Sequence, residues 1–194
     1  MWLSHELPAR AAPLTLDLRH ALPGEAFSLR RGDVTVALLA DFEGILRTGE
    51  LTQLCKGDID VATDYSTAVL NLGLTKAGSR IDSIETVTLE DPKVVKLLAA
   101  RLLHLLLGDP LLPKEPLEFQ VVLKKLLSNL GLSEAGFTPF SLRRGGTTHH
   151  FRKHYARSRT VVKGRWTNAR TARVYINEGL AVLASFALLS LSSF

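Results

Sequence analysis

The chain has 194 residues, 46% of them hydrophobic and 22% charged, with a formal net charge of +5. It is long and apolar enough for one domain with its own core, which excludes wholesale disorder. A single cysteine, Cys55, excludes an internal disulfide, and no Cys/His spacing suggests a zinc site, so a reducing, intracellular compartment is the default.

Residues 1–27 are rich in Pro, Ala and Leu (Pro8, Pro13, Pro23, then Gly24) and read as a linker or the remnant of a preceding segment, outside the core. From Ser28 to Leu54, apolar residues recur at helical spacing: Val36, Leu39, Ala40, then Ile45, Leu46, Leu51 and Leu54. Gly44 and Gly49 interrupt the pattern, which predicts two helices with a tight junction near Arg47. The segments IDVAT, STAVLNLGL and SIETVTL alternate or are β-branched, with turns at Asp64 and at Lys76–Arg80. They predict a small three-stranded antiparallel sheet, with Lys76 lifted to its end.

Asp91-Pro92 predicts a helix start, with Asp91 as N-cap and Pro92 in the first position. This helix should run to about Leu107, and another from Pro116 to Leu130, stopped by Gly131. SLRRGGTTHHFRKHYAR reads as helix from about Leu142, followed by a basic loop and a last helix from near Asn168 that carries Tyr175. The apolar tail after Gly179 is about 16 residues, short of the ~20 that span a bilayer, so no membrane partner is expected.

Charge is unevenly spread. Thr138 to Asn177 holds ten Lys/Arg and no acid, which leaves 14 basic residues against all 19 acidic ones elsewhere. A strongly basic quarter on an otherwise acidic body fits a polyanionic partner, nucleic acid foremost.

Four segments carry chemistry: LRTGEL (Leu46–Leu51), LTKAGSR (Leu74–Arg80), FSLRRGGTTHHF (Phe140–Phe151) and GRWTNARTARVY (Gly164–Tyr175). They offer Arg47, Lys76, Arg143 and Tyr175 on separate elements. Two guanidiniums can clamp the non-bridging oxygens of a phosphodiester in a forked geometry that Lys cannot copy. A tyrosine phenolate can attack phosphorus, and a turn lysine can protonate the departing oxygen. His150 and His154 stand at i, i+4 but lack the Glu and third ligand of a metal site, so no metal or other cofactor is expected.

In these segments the chain resembles the catalytic domain of the tyrosine recombinase, or phage integrase, family. GILRTGEL matches the first-arginine motif at Arg47, with Glu50 one turn later, and the hairpin lysine falls on Lys76. The His-x-x-Arg box falls on Phe140 to Arg143, with Thr148-His149 as the usual Thr-His. The late His/Trp falls on Trp166 and the nucleophile on Tyr175, with gaps of 23 and 9 residues that follow the family's pattern. The resemblance covers about Ser28 to Gly179.

The resemblance implies a mainly α (α+β) domain with the DNA breaking–rejoining fold over residues 28–180, followed by an apolar tail at 181–194. That tail reads either as ordinary core or as a segment that packs on a neighbouring protomer. The implied activity is site-specific DNA cleavage and rejoining through a 3′-phosphotyrosyl intermediate, with Arg47, Lys76, Arg143, Trp166 and Tyr175 as catalytic residues. Arg144, His149, Arg165 and Arg170 are the expected DNA contacts. The implied partners are double-stranded DNA and further copies of the chain, as a tetramer on DNA, in the nucleus of a eukaryote or the nucleoid of a bacterium.

The sequence departs from the family in two ways. Phe140 replaces the box histidine and cannot move a proton. Only about 27 residues precede the catalytic segment, too few for the family's N-terminal helical domain, so a fragment, a minimal version or a mobile-element remnant is expected. The alternatives are a catalytically degenerate DNA-binding remnant, a type IB topoisomerase-like enzyme, or a non-enzymatic basic helical module.

Overall fold

The computed structural model describes residues 11–73, 85–112 and 116–176. Eight helices lie among them: α1 (Leu16–Ser28), α2 (Gly32–Gly44), α3 (Thr48–Gln53), α4 (Pro92–Leu102), α5 (Pro116–Asn129), α6 (Pro139–His154), α7 (Arg157–Lys163) and α8 (Ala169–Tyr175). Three strands, β1 (Ile59–Val61), β2 (Ala68–Asn71) and β3 (Thr86–Leu89), form one antiparallel sheet in that order.

The centre of the core is α2. Its run VTVALLADFEG is apolar on every side, the pattern of a helix buried all round, and every residue from Val34 to Phe42 is buried. It packs against α1, α4 and α6. It ends at Ile45, whose backbone is left-handed (φ 50°). A β-branched residue adopts that conformation only when its surroundings impose it, and Ile45 is fully buried in a cluster with Trp166 and Ala172. The chain therefore turns sharply between α2 and α3, as the two glycines predicted, and Arg47 sits at the turn as the N-cap of α3.

The sheet has the expected strands and order. Ile59 pairs with Leu70, and Ala68 and Leu70 pair with Leu89 and Val87. These five side chains alternate with outward ones and are all buried, so one sheet face joins the core. The Gly78 turn and Lys76 lie outside the described residues.

The structure departs from expectation in three segments. Within residues 1–27, expected as linker, residues 16–27 belong to α1, with Leu18, Leu22 and Ala26 buried at four-residue spacing. Thr15 caps it by accepting the Leu18 N–H, and burial against α2 outweighs the cost of Pro23 within the helix. The helix from Pro92 stops at Leu102 rather than about Leu107, because the next carbonyls are bound elsewhere. Leu105 O accepts from the Lys56 ammonium at 2.6 Å, and Leu107 O from the Gly57 N–H at 2.9 Å. The expected basic loop after α6 contains α7, anchored by the fully buried Thr160.

Candidate active site

The site gathers around Arg143, on α6. Its neighbour Phe140 is one turn earlier on the same helix, and spacing of three puts both side chains on one face. Thr138 N–H donates to Ser141 Oγ at 3.0 Å, which starts the helix immediately before them. Arg143 is buried (3% exposed). Its Nη1 donates to Ile45 O and its Nη2 to Gly164 O at 2.7 Å. These carbonyls come from the α2–α3 turn and from GRW, so one guanidinium ties three elements together. Burial, then the charges of Arg165 and Arg47, lower its pKa to about 10, which leaves it cationic at neutral pH.

The aromatic ring set stands beside this cation. The Arg143 guanidinium carbon is 4.9 Å from the Trp166 ring centre and 5.5 Å from that of Tyr175, within cation–π range. The Trp166 and Tyr175 rings are 4.9 Å apart, and Phe140 packs on Tyr175 from another side at 5.2 Å. Tyr175 is partly exposed at the end of α8, a helix that Asn168 caps by accepting the Thr171 N–H. Thr148 Oγ1 donates to Tyr175 O at 3.2 Å and joins α8 to α6. Gly164 permits the close fold of GRW, since a Cβ there would overlap the Trp166 ring.

Arg47 stands at the same site but faces outward, with 41% of its side chain exposed. It pairs with the buried Glu50, which also accepts the Arg47 backbone N–H at 2.7 Å. Arg47, Arg143, Trp166 and Tyr175 are thus drawn together by the α2–α3 turn, α6, GRW and α8. A cluster of guanidiniums beside a phenol, with one of them open to solvent, can hold an anionic ester against a nucleophile.

The expected DNA contacts divide. Arg170 is exposed. His149 is half-buried with its ring 5.9 Å from Phe42, and burial pushes its pKa down to about 4. Arg144 and Arg165 differ from the expectation of DNA-facing cations. Arg144 is 1% exposed and donates to Ala11 O under the N-terminal segment. The Arg165 side chain is 6% exposed and pairs with Glu50 at 2.5 Å. Position in a basic run does not reveal which arginines point inward. His150 donates to or accepts from Thr160 Oγ1 at 3.0 Å and stacks on His154, and no group of three or more potential metal ligands occurs among the described residues.

Sequence reasoning overlooked one group at the site. Asp41, on α2, is 1% exposed, and neither carboxylate oxygen has a hydrogen-bond partner among the described residues. An acid in the middle of the apolar run VALLADF was the available signal.

No protein family and no curated protein matches the sequence. Solved structures do match the fold. XerA recombinase superposes with a TM-score of 0.69 at 17% identity, over 95% of this chain and 66% of its own. XerH site-specific recombinase, bound to its difH substrate in a pre-cleavage complex, gives 0.68 at 14%, over 94% of this chain and 55% of its own. The Tn1549 transposon integrase, in complex with transposon right end DNA, gives 0.66 at 12%, over 95% and 68%. The chain spans about half to two thirds of the length of these proteins. Its fold is that of the tyrosine recombinase catalytic domain, mainly helical with a small antiparallel sheet. No helix among the described residues is long and apolar enough to cross a membrane.

Proposed function

We propose that this chain is a tyrosine recombinase catalytic domain that cleaves and rejoins double-stranded DNA. The observation that carries the reading is the stacking of the Arg143 guanidinium over both Trp166 and Tyr175, with Arg47 open to solvent at the same site. Arg47 holds the non-bridging oxygens of the scissile phosphate, and Arg143, its Nη groups engaged with Ile45 O and Gly164 O, adds its charge from behind to stabilise the charge that develops on the phosphorane. The Tyr175 hydroxyl gives its proton to solvent water as its oxygen attacks phosphorus and the bond to the 5′-oxygen breaks, which leaves a 3′-phosphotyrosyl link and a 5′-hydroxyl. Lys76, assigned by resemblance, protonates the leaving oxygen, and Trp166 packs against Tyr175 and supports the phosphate. The link keeps the energy of the phosphodiester, so rejoining draws on no ATP. Four protomers on two duplexes carry out recombination.

A second reading is favoured by Phe140, which stands where the family has a histidine and packs on Tyr175: a DNA-binding remnant that no longer cleaves. One assay separates the two. Wild type and Tyr175→Phe are incubated with nicked suicide duplexes and examined for a denaturation-resistant protein–DNA adduct. The recombinase reading expects an adduct from wild type alone, with DNA binding retained in both. Binding without adduct supports the remnant, and an adduct that survives Tyr175→Phe overturns the nucleophile. Relaxation of supercoiled plasmid by the single chain, without a specific site, would favour a type IB topoisomerase.

A further inference from the structure

Arg165 is the most heavily engaged cation at the site. Its Nη1 donates to Gly44 O and Lys163 O at 3.3 and 3.2 Å, and its Nη2 to Ile45 O at 3.3 Å and Glu50 Oε2 at 2.5 Å. Its Nε lies 3.6 Å from the Glu85 carboxylate, at the edge of the sheet. Its backbone is left-handed (φ 55°), an uncommon state for a non-glycine residue that the surrounding contacts must hold. With 6% of its side chain exposed, this group has little left to offer a ligand.

What it does hold is Glu50. That carboxylate divides between two guanidiniums: Oε1 accepts from Arg47, Oε2 from Arg165 and from the Arg47 backbone N–H. Arg165 lies on the buried side and Arg47 on the solvent side. If Arg47 alone paired with Glu50, the carboxylate would neutralise much of its charge. With Arg165 balancing Glu50 from beneath, Arg47 is fixed in direction and keeps its charge for an outside anion. A lysine could supply the charge, but its compact ammonium cannot reach three carbonyls and a carboxylate in one plane.

We propose that Arg165 is a positioning residue, holding Glu50 from the buried side so that Arg47 is aimed, still charged, at the scissile phosphate. This rests on the recombinase reading above. The test uses single-turnover adduct formation on a nicked suicide duplex, with either an ordinary scissile phosphate or a methylphosphonate that carries no charge on its non-bridging position. Misplacing a clamp by about 1 Å costs on the order of 100-fold. Arg165→Gln should therefore slow adduct formation on the phosphate about that much, with little change in DNA affinity. On the methylphosphonate, where there is less charge to clamp, the deficit should shrink to about tenfold or less.

Arg165→Lys, which keeps a buried cation and hence the fold, should show the same pattern. In a double variant with Glu50→Gln the two losses should not add, because they act through one contact. Equal slowing on both duplexes means a general structural role and overturns the proposal, as does an Arg165→Lys rate equal to wild type. No wild-type adduct on either duplex overturns the recombinase reading and this inference with it, an outcome the wild-type lane alone identifies.

Discussion

The ring of Phe140 packs against that of Tyr175, with centroids 5.2 Å apart and planes tilted by 47°. Phe140 is one helical turn before Arg143, and its ring closes one side of the tyrosine while Trp166 closes another. An edge of this kind fixes the direction of the phenol but has no atom that can accept or donate a proton. The tyrosine must therefore give up its proton to some other acceptor during attack.

Phe140→His places a titratable nitrogen on that face. Proton transfer by a positioned side chain contributes about 100-fold or more, and an added histidine without evolved support should recover part of this, about tenfold, in the adduct rate on nicked duplexes. The gain should appear as pH rises through the usual histidine range near 6.5, since the neutral imidazole is the base. Because Phe140 is 44% exposed, the melting temperature should change little. A rate unaltered at every pH would mean that this face is not on the proton's path.

The second prediction concerns the contact between α6 and α2, on which the placement of Arg143 depends. A Cβ on Gly146 would overlap the carbonyl oxygen of Phe42, and one on Gly145 would meet Leu14 O and the Phe42 ring. At Gly146 the obstacle is backbone throughout, so α6 and α2 would have to separate. Gly146→Ala should cost about 2–4 kcal/mol in urea denaturation, in the range of severe overpacking. Gly24→Ala, in α1 with nothing within 4 Å of the new methyl, is the control. It should be neutral or stabilise by up to about 1 kcal/mol, the helix preference for Ala over Gly.

The same double glycine explains what could be read from the sequence and what could not. RRGGTTHH forms helix in spite of its glycines, which mark close approach to Phe42 and Leu14 rather than a break. The strands and α8 were legible because alternation and an Asn N-cap are local signals. The fold of α1 was not, since Pro23 and Gly24 are locally unfavourable and only burial of Leu18, Leu22 and Ala26 against α2 decides the outcome. The resemblance to the family's motifs led to Arg143, Trp166 and Tyr175, which the structure brings into contact. The directions of Arg144 and Arg165 were hidden, because their partners, the carbonyls of Ala11, Gly44 and Ile45 and the Glu50 carboxylate, are distant in sequence.

The last prediction takes up Asp41, which is buried behind this site with no hydrogen-bond partner on either oxygen among the described residues. Burial holds its pKa well above the usual carboxylate range; the Glu50 charge pushes the same way, against Arg143 and Arg165. The unfolded chain releases this proton near pH 3.9, whereas the folded protein keeps it. Above that pH the folded state binds more protons than the unfolded state, so this group's contribution to stability falls as pH rises, until the buried carboxyl itself ionises. The slope over that window is about 1.4 kcal/mol per pH unit. Asp41→Asn removes the titration, so the stability difference between variant and wild type should move toward the variant as pH rises from 4 upward. Urea denaturation at a series of pH values measures it. A difference that stays flat would mean that Asp41 is ionised in the fold and paired in charge with Arg143. That alternative bears on function as well, since a neutral Asp41 leaves the Arg143 charge entire for a phosphate, whereas an ionised one spends part of it inside the protein.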